Sequence, residues 1–280
     1  MREIRCTDIT QAVAGLFLEA NFDLPADVLA ALQRAASEES SPQARGILET
    51  LVRNAEIAAD KRVAMCQDCG LSVVFAELGR NCHLDGDLYE AIDEGVRQAY
   101  AEGFLRKSVL ADPLQRDSNT GDNTPAIVHL RLVEGERLTL HAAPKGGGSE
   151  NMSALWMLSP SAGRQGVVER IVERIKEAGG KPCPPLVLGV GLGGTFEKAA
   201  LLAKQSLLRP LGEPNALAEV AELERELLAA VNATGVGPMG MGGKTTALAV
   251  HVERHPCHIA SLPLALNVQC HSARHKTAVV

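Results

Sequence analysis

Apolar residues recur at helical spacing through much of the first hundred positions. Ile9, Val13, Leu16, Phe17 and Ala20 share one helical face. Pro25 opens a second helix carrying Val28, Leu29 and Leu32, with proline at the tolerated first position. Ser41-Pro42 reads as the cap and first turn of a third helix that runs to about Lys61, with Ile47, Leu51 and Ala55 four apart. Asp87 can cap a fourth, which carries Leu88, Ile92, Val96 and Tyr100. Segments 71–78, 126–133, 137–142, 185–190 and 246–253 have a different texture. They are rich in Val, Ile and Leu, are bounded by Gly, Pro or Asn, and predict strands. Helical spacing returns at 165–178, stopped by Gly179-Gly180, and then at 195–208 and 215–232. The expected fold is mixed α and β, with helices between strands in one compact domain over residues 1–280. Residues 1–105 are expected to be mainly helical and packed on a sheet-bearing body, residues 106–280.

Composition narrows the class. Hydrophobic residues make up 46% and charged residues 22% of the 280 positions, which suits a folded chain and not a disordered one. No apolar run is long enough to span a membrane, and the first residues lack the apolar core of a secretory signal. A cytoplasmic protein is expected. The net charge is −6, no Lys/Arg cluster occurs and aromatics are 3%, so neither a basic footprint nor a set of stacking rings for nucleic acid is present. Seven cysteines, an odd number in a long chain, argue against a disulfide framework.

Three familiar motifs fail on inspection. Gly189-x-Gly191-x-x-Gly194 has the dinucleotide spacing but lacks the second strand ending in an acidic residue. Gly243-Lys244-Thr245 resembles the end of a phosphate loop, but the required earlier glycine is replaced by Pro238. Cys66-x-x-Cys69 follows a helix and precedes a strand, the reverse of a redox motif. It could form half of a zinc site, with Cys257-His258 and Cys270-His271 as further donors. Three cysteines stand out by their settings. Cys66 precedes Gln67-Asp68, Cys183 lies among Pro182, Pro184 and Pro185, and Cys270 follows Asn267-Val268-Gln269. As a set they suit soft-metal ligation from three distant loops. Three thiolates leave one iron of a [4Fe–4S] cube without a protein ligand, and such an iron is a Lewis acid.

Six segments, in order, resemble class I fumarate hydratase, the iron–sulfur type. They are Cys66-Gln67-Asp68; Asn119 to Pro125; Lys145 to Asn151 with Met152-Ser153; Cys183-Pro184-Pro185 with Gly189 to Thr195; Gly237-Pro238-Met239-Gly240; and His258 to Pro263 through Cys270-His271. The resemblance runs from about residue 8 to the end and is to the α subunit of the two-subunit form. The related L-tartrate dehydratase α subunit shares the cysteine segments but lacks the Lys-Gly-Gly-Gly-Ser-Glu-Asn form. The resemblance implies that Cys66, Cys183 and Cys270 hold a [4Fe–4S] cluster with one open iron. It also implies substrate contacts from Gln67, Asp68, Arg106, the Gly146-Gly147-Gly148 loop and His258. Cys69 departs from the family, which usually has threonine there.

These residue types suit removal of water from (S)-malate. The leaving oxygen needs a Lewis acid, and charge building on the far carboxylate needs cations and oriented donors. Arg106 can fork onto a carboxylate. Three consecutive glycines let backbone N–H groups approach an oxyanion, and Lys145 adds charge there. Asp68 is a candidate for proton handling and His258 for hydrogen bonding to substrate, so Asp68, Arg106 and His258 are the candidate catalytic residues. One arginine is too little cationic charge for a C4 dicarboxylate. The resemblance therefore implies a separate β subunit that brings the base and further cations, in a homo-oligomer of αβ units. A zinc- or cluster-bearing scaffold without catalysis is the alternative outside the enzyme class.

Overall fold

The computed structural model describes residues 2–280. In chain order the elements begin with β1 (Arg2–Ile4), α1 (Cys6–Phe22), α2 (Ala26–Glu38), α3 (Pro42–Lys61), β2 (Leu71–Gly79), β3 (Cys82–Leu84) and α4 (Leu88–Glu102). They continue with β4 (Ile127–Val133), β5 (Leu138–Lys145), α5 (Gly147–Glu150), β6 (Ala154–Leu158), α6 (Gly163–Ala178) and β7 (Leu186–Gly193). The last are α7 (Phe196–Ser206), α8 (Ala218–Asn232), β8 (Ala247–His255), β9 (Leu262–Gln269) and β10 (Lys276–Val279). The fold is mixed α and β, as the spacing of apolar residues predicts.

Two compact units interleave along the chain. One comprises the chain up to Pro25, Asn54–Gly147 and Arg274–Val280; the other comprises Ala26–Arg53 and Gly148–Ala273. Each unit has an apolar core of its own. In the first unit, α1 and α4 pack Ile9, Val13, Phe17, Ile92 and Val96 against Val74, Leu138 and Leu140 of the sheet. That sheet has the order β10-β5-β2-β4, with β2 and β4 parallel and β5 antiparallel to β2. In the second unit, Ile171 and Ile175 of α6 and Leu227 and Val231 of α8 cover Leu188, Val190, Val250 and Leu266. Its sheet has the order β6-β9-β7-β8.

Local signals explain several element ends. The Asp87 carboxylate accepts the Tyr89 and Glu90 N–H groups, as its capping position predicts. Gly179 adopts a positive φ of 53° and ends α6. Strands β1, β3, β6, β9 and β10 lie outside the segments that the residue pattern predicts. β9 reads Leu-Pro-Leu-Ala-Leu-Asn-Val-Gln, with Leu262, Leu264, Leu266 and Val268 at every second position, and it is buried along nearly its whole length as an inner strand of the sheet. The glycine fingerprint has a packing role: a Cβ at Gly189 would lie 2.0 Å from the Ala203 carbonyl oxygen, and one at Gly191 would lie 1.9 Å from that of Ala199. The glycines let α7 lie directly on β7. Lys244 likewise docks on its own unit, donating through its N–H to Glu39 and through Nζ to the Glu38 carbonyl.

A buried polar network ties β8 to α8. Glu224 accepts hydrogen bonds from the Asn215 and Val252 N–H groups and from the Arg209 guanidinium. Nearby, His251 is buried and its Nδ1 is 3.1 Å from the Ser206 carbonyl oxygen. Burial, joined by the positive charge of Arg209, lowers the His251 pKa to about 4. The unfolded chain therefore binds the extra proton first, and stability falls as pH drops from about 6.5 toward 4. Urea unfolding should show about 3 kcal/mol lost over that window on this account. A His251→Gln variant should flatten that slope; an unchanged slope would refute the assignment.

Candidate active site

In the first unit the site residues gather around the turn entering β2. Cys66 and Asp68 are half-buried, Gln67 is exposed, and Cys69 and Gly70 are buried. Gly70 has a φ of +79°, and a Cβ there would lie 2.6 Å from the Lys145 backbone nitrogen, so only glycine fits. The turn exposes no spare backbone acceptors to apolar surroundings. The Asp68 carbonyl accepts from Arg274 Nη2. Tyr100 OH is 2.7 Å from the Cys69 carbonyl oxygen and 3.1 Å from that of Gly70. Asn123 Nδ2 donates to the Gly70 carbonyl at 3.2 Å, while its Oδ1 accepts the Ser108 N–H. Three buried side chains, Arg274, Tyr100 and Asn123, thus hold three successive carbonyls.

Asp68 has both of the roles its sequence setting allows. One carboxylate oxygen closes a turn by accepting the Gly70 N–H at 3.0 Å. The other accepts the Gly147 N–H at 2.7 Å. The Cys66-Gln67-Asp68 and Lys145-Gly146-Gly147 segments are therefore brought together. Lys145 ends β5 and is 4% exposed, an unusual degree of burial for a lysine. The Arg106 N–H donates to Cys69 Sγ at 3.2 Å, which puts its exposed side chain at the same turn. Burial pushes the Cys69 thiol pKa up, with the Arg106 N–H opposing the shift.

The second unit holds the other segments. Cys183 is exposed, with a φ of +55°, in the turn before β7. Its carbonyl accepts the His271 N–H at 3.2 Å, which joins the Cys183 and Cys270 turns. The Pro184 carbonyl accepts the Met239 N–H at 2.8 Å, so the Gly237–Gly240 turn docks there as well. Gly148 is exposed at the start of this unit. His258 lies in the exposed turn between β8 and β9, not in a strand. Its Nδ1 accepts the Ala260 N–H at 3.1 Å, which leaves the proton of the neutral ring on Nε2. The Glu150 carboxylate accepts from Asn267 Nδ2 at 3.0 Å and pairs with Lys204, so it serves the scaffold.

None of the seven cysteines forms a disulfide. Among the described residues, no three His, Cys, Asp or Glu side chains are grouped to hold a single metal ion. The donor chemistry nevertheless fits a sulfur-ligated anionic group. Cys66 Sγ accepts the Asp68 N–H at 3.4 Å, and Gln269 Nε2 lies 3.9 Å from Cys270 Sγ, so each sulfur has an N–H donor beside it. Arg274 Nε and Nη1, buried below the Cys66–Gly70 turn, have no hydrogen-bond partner. Sequence reasoning missed Arg274 and Tyr100. Tyr100 read as one more apolar position of α4, and Arg274 belongs to no motif.

The fold is mixed α and β, and polar, glycine-rich turns join its elements. The chain belongs to the fumarate hydratase (Fumerase) family, whose model matches residues 10–279, and it is a hydro-lyase. It is 43% identical over 273 residues to a Methanocaldococcus jannaschii protein that carries the provisional name L(+)-tartrate dehydratase subunit alpha, with 95% of each chain covered. It is 29% identical over 274 residues to the L(+)-tartrate dehydratase subunit alpha of Escherichia coli O157:H7, covering 97% of this chain and 90% of the relative. The Shigella sonnei protein of that name is 28% identical over the same span.

Loss of a carbonyl partner in the turn should be measurable. Tyr100→Phe should cost about 1–3 kcal/mol in urea unfolding, because buried acceptors lose their donor. Gly70→Ala should cost more, since it combines positive-φ strain with a backbone clash.

Proposed function

We propose that residues 1–280 act as one alpha-type catalytic domain that hydrates fumarate reversibly to (S)-malate. In this reading Cys66, Cys183 and Cys270 are the thiolate ligands of a [4Fe–4S] cluster. When bound, the cluster supplies a Lewis-acidic iron for the hydroxyl that leaves as water. Asp68, two residues from a ligand, handles the proton of that hydroxyl. Its carboxylate is already oriented by two backbone N–H groups, which removes the entropy of positioning it. Gln67 and His258 hydrogen-bond the substrate, and Arg106 forks onto a carboxylate. Lys145 and the Gly146-Gly147-Gly148 turn offer charge and N–H donors to the other carboxylate.

The observation that carries this reading is the hydrogen bond from the Gly147 N–H to Asp68. It joins the Cys66-Gln67-Asp68 turn to the Lys145-Gly146-Gly147 segment within one unit, a pairing with no need in a bare scaffold. A second reading, dehydration of L-tartrate, is favoured by the names of the relatives. Tartrate differs from malate by one further hydroxyl, so the same residues would serve. In either case a β subunit brings the proton-abstracting base and further cations, as the relatives' designation as alpha subunits supports. Seven cysteines without disulfides suit a reducing compartment such as the cytoplasm, and among the described residues no helix is long and apolar enough to cross a membrane.

Anaerobic reconstitution of the chain with its β partner tests this. About four irons and four sulfides per chain are expected, with kcat/KM for malate and fumarate above that for tartrate. The reverse order selects the second reading, and one zinc per chain selects a scaffold. The chain alone should turn over neither substrate; full activity without a partner would contradict the divided site. Asp68→Asn should lower kcat about 10²–10⁴-fold with little change in KM.

A further inference from the structure

The guanidinium of Arg274 is 5% exposed, and only Nη2 has a partner, the Asp68 carbonyl. Nε and Nη1 are buried without hydrogen-bond partners. Burying a cation with idle donors is costly unless an anion answers it. The Asp68 carboxylate does not: its oxygens accept the Gly70 and Gly147 N–H groups. Among the described residues Arg274 has no ion-pair partner. The bond to the Asp68 carbonyl places the guanidinium at the Cys66–Gly70 turn, and its charge is felt at Cys69 and Tyr100.

We propose that Arg274 is a positioning residue for the sulfur-bound anionic group of the Cys66 turn. One arm fixes the turn through the Asp68 carbonyl, and Nε and Nη1 donate to that group. This rests on the cluster reading above. The two roles belong together chemically. A planar fork can hold a carbonyl with one nitrogen while its other nitrogens address a second acceptor, which a lysine cannot do. A cluster bound by three thiolates is an anion, and hydrogen bonds to its sulfurs set its stability and potential.

The test uses anaerobically reconstituted full-length chain grown with guanidino-15N arginine and reduced with dithionite. Pulsed electron paramagnetic resonance should show guanidino nitrogen coupled to the cluster spin. The coupling should persist in Arg106→Lys and vanish in Arg274→Lys. Arg274→Gln should lose iron in air about 10- to 100-fold faster than wild type, the range for removal of a group that supports a metal ligand. Loaded wild-type protein without guanidino coupling, or coupling that survives in Arg274→Lys, would overturn the proposal. Wild-type chain that takes up no iron and sulfide would instead overturn the cluster reading beneath it. The central readout is made on wild-type protein, so failure of a variant to fold does not obscure it.

Discussion

Burial of the backbone at the turn from Cys66 to Gly70 sets the terms for the first unit. A tight turn inside a protein leaves carbonyls that water cannot reach, and each needs a donor. Here the donors come from three separate stretches: Tyr100 on α4, Asn123 in the loop before β4, and Arg274 just before β10. Holding the turn therefore recruits most of the unit. The packing of α4 on the sheet brings Tyr100 to the turn, and the polar loop at 119–125 places Asn123 there. Cys66, Gln67 and Asp68 project from a turn whose carbonyls at Asp68, Cys69 and Gly70 are all held.

The second unit solves a different problem. Its central strand β7 must lie against α7 closely enough for backbone to meet backbone, and Gly189 and Gly191 provide the clearance. This brings the end of the Cys183 turn to a defined place, where the His271 N–H and the Met239 N–H hold consecutive carbonyls at Cys183 and Pro184. The glycine spacing that mimics a nucleotide fingerprint is thus a consequence of layer packing. Buried Glu224, with Arg209 and two backbone N–H groups, anchors the same layer from the other side of the strand order.

Membership of the fumarate hydratase family ties these devices to hydro-lyase chemistry. Water elimination next to a carboxylate needs a fixed proton carrier and fixed cations, because charge appears on groups that must not reorganise during the step. In the proposed reading, Asp68, held by two N–H groups, and the buried Lys145 are the groups of the first unit assigned to that need.

Much of this was legible in the residues themselves. Asp87 as a cap, Gly179 as a stop and the periodicity of Ile9 to Ala20 are local effects, and local effects are written in local sequence. The motif turns were legible too, because glycine, proline and cysteine in polar company have few other uses. Only the tertiary structure decided that apolar residues separate into two cores, that β9 is a central strand, and that Asp68 bonds to Gly147. It alone decided that Tyr100 and Arg274 serve the Cys66 turn. Those partners are 31 and 206 positions from the residues they hold, and spacing along a chain carries no information about hydrogen bonds closed across that distance.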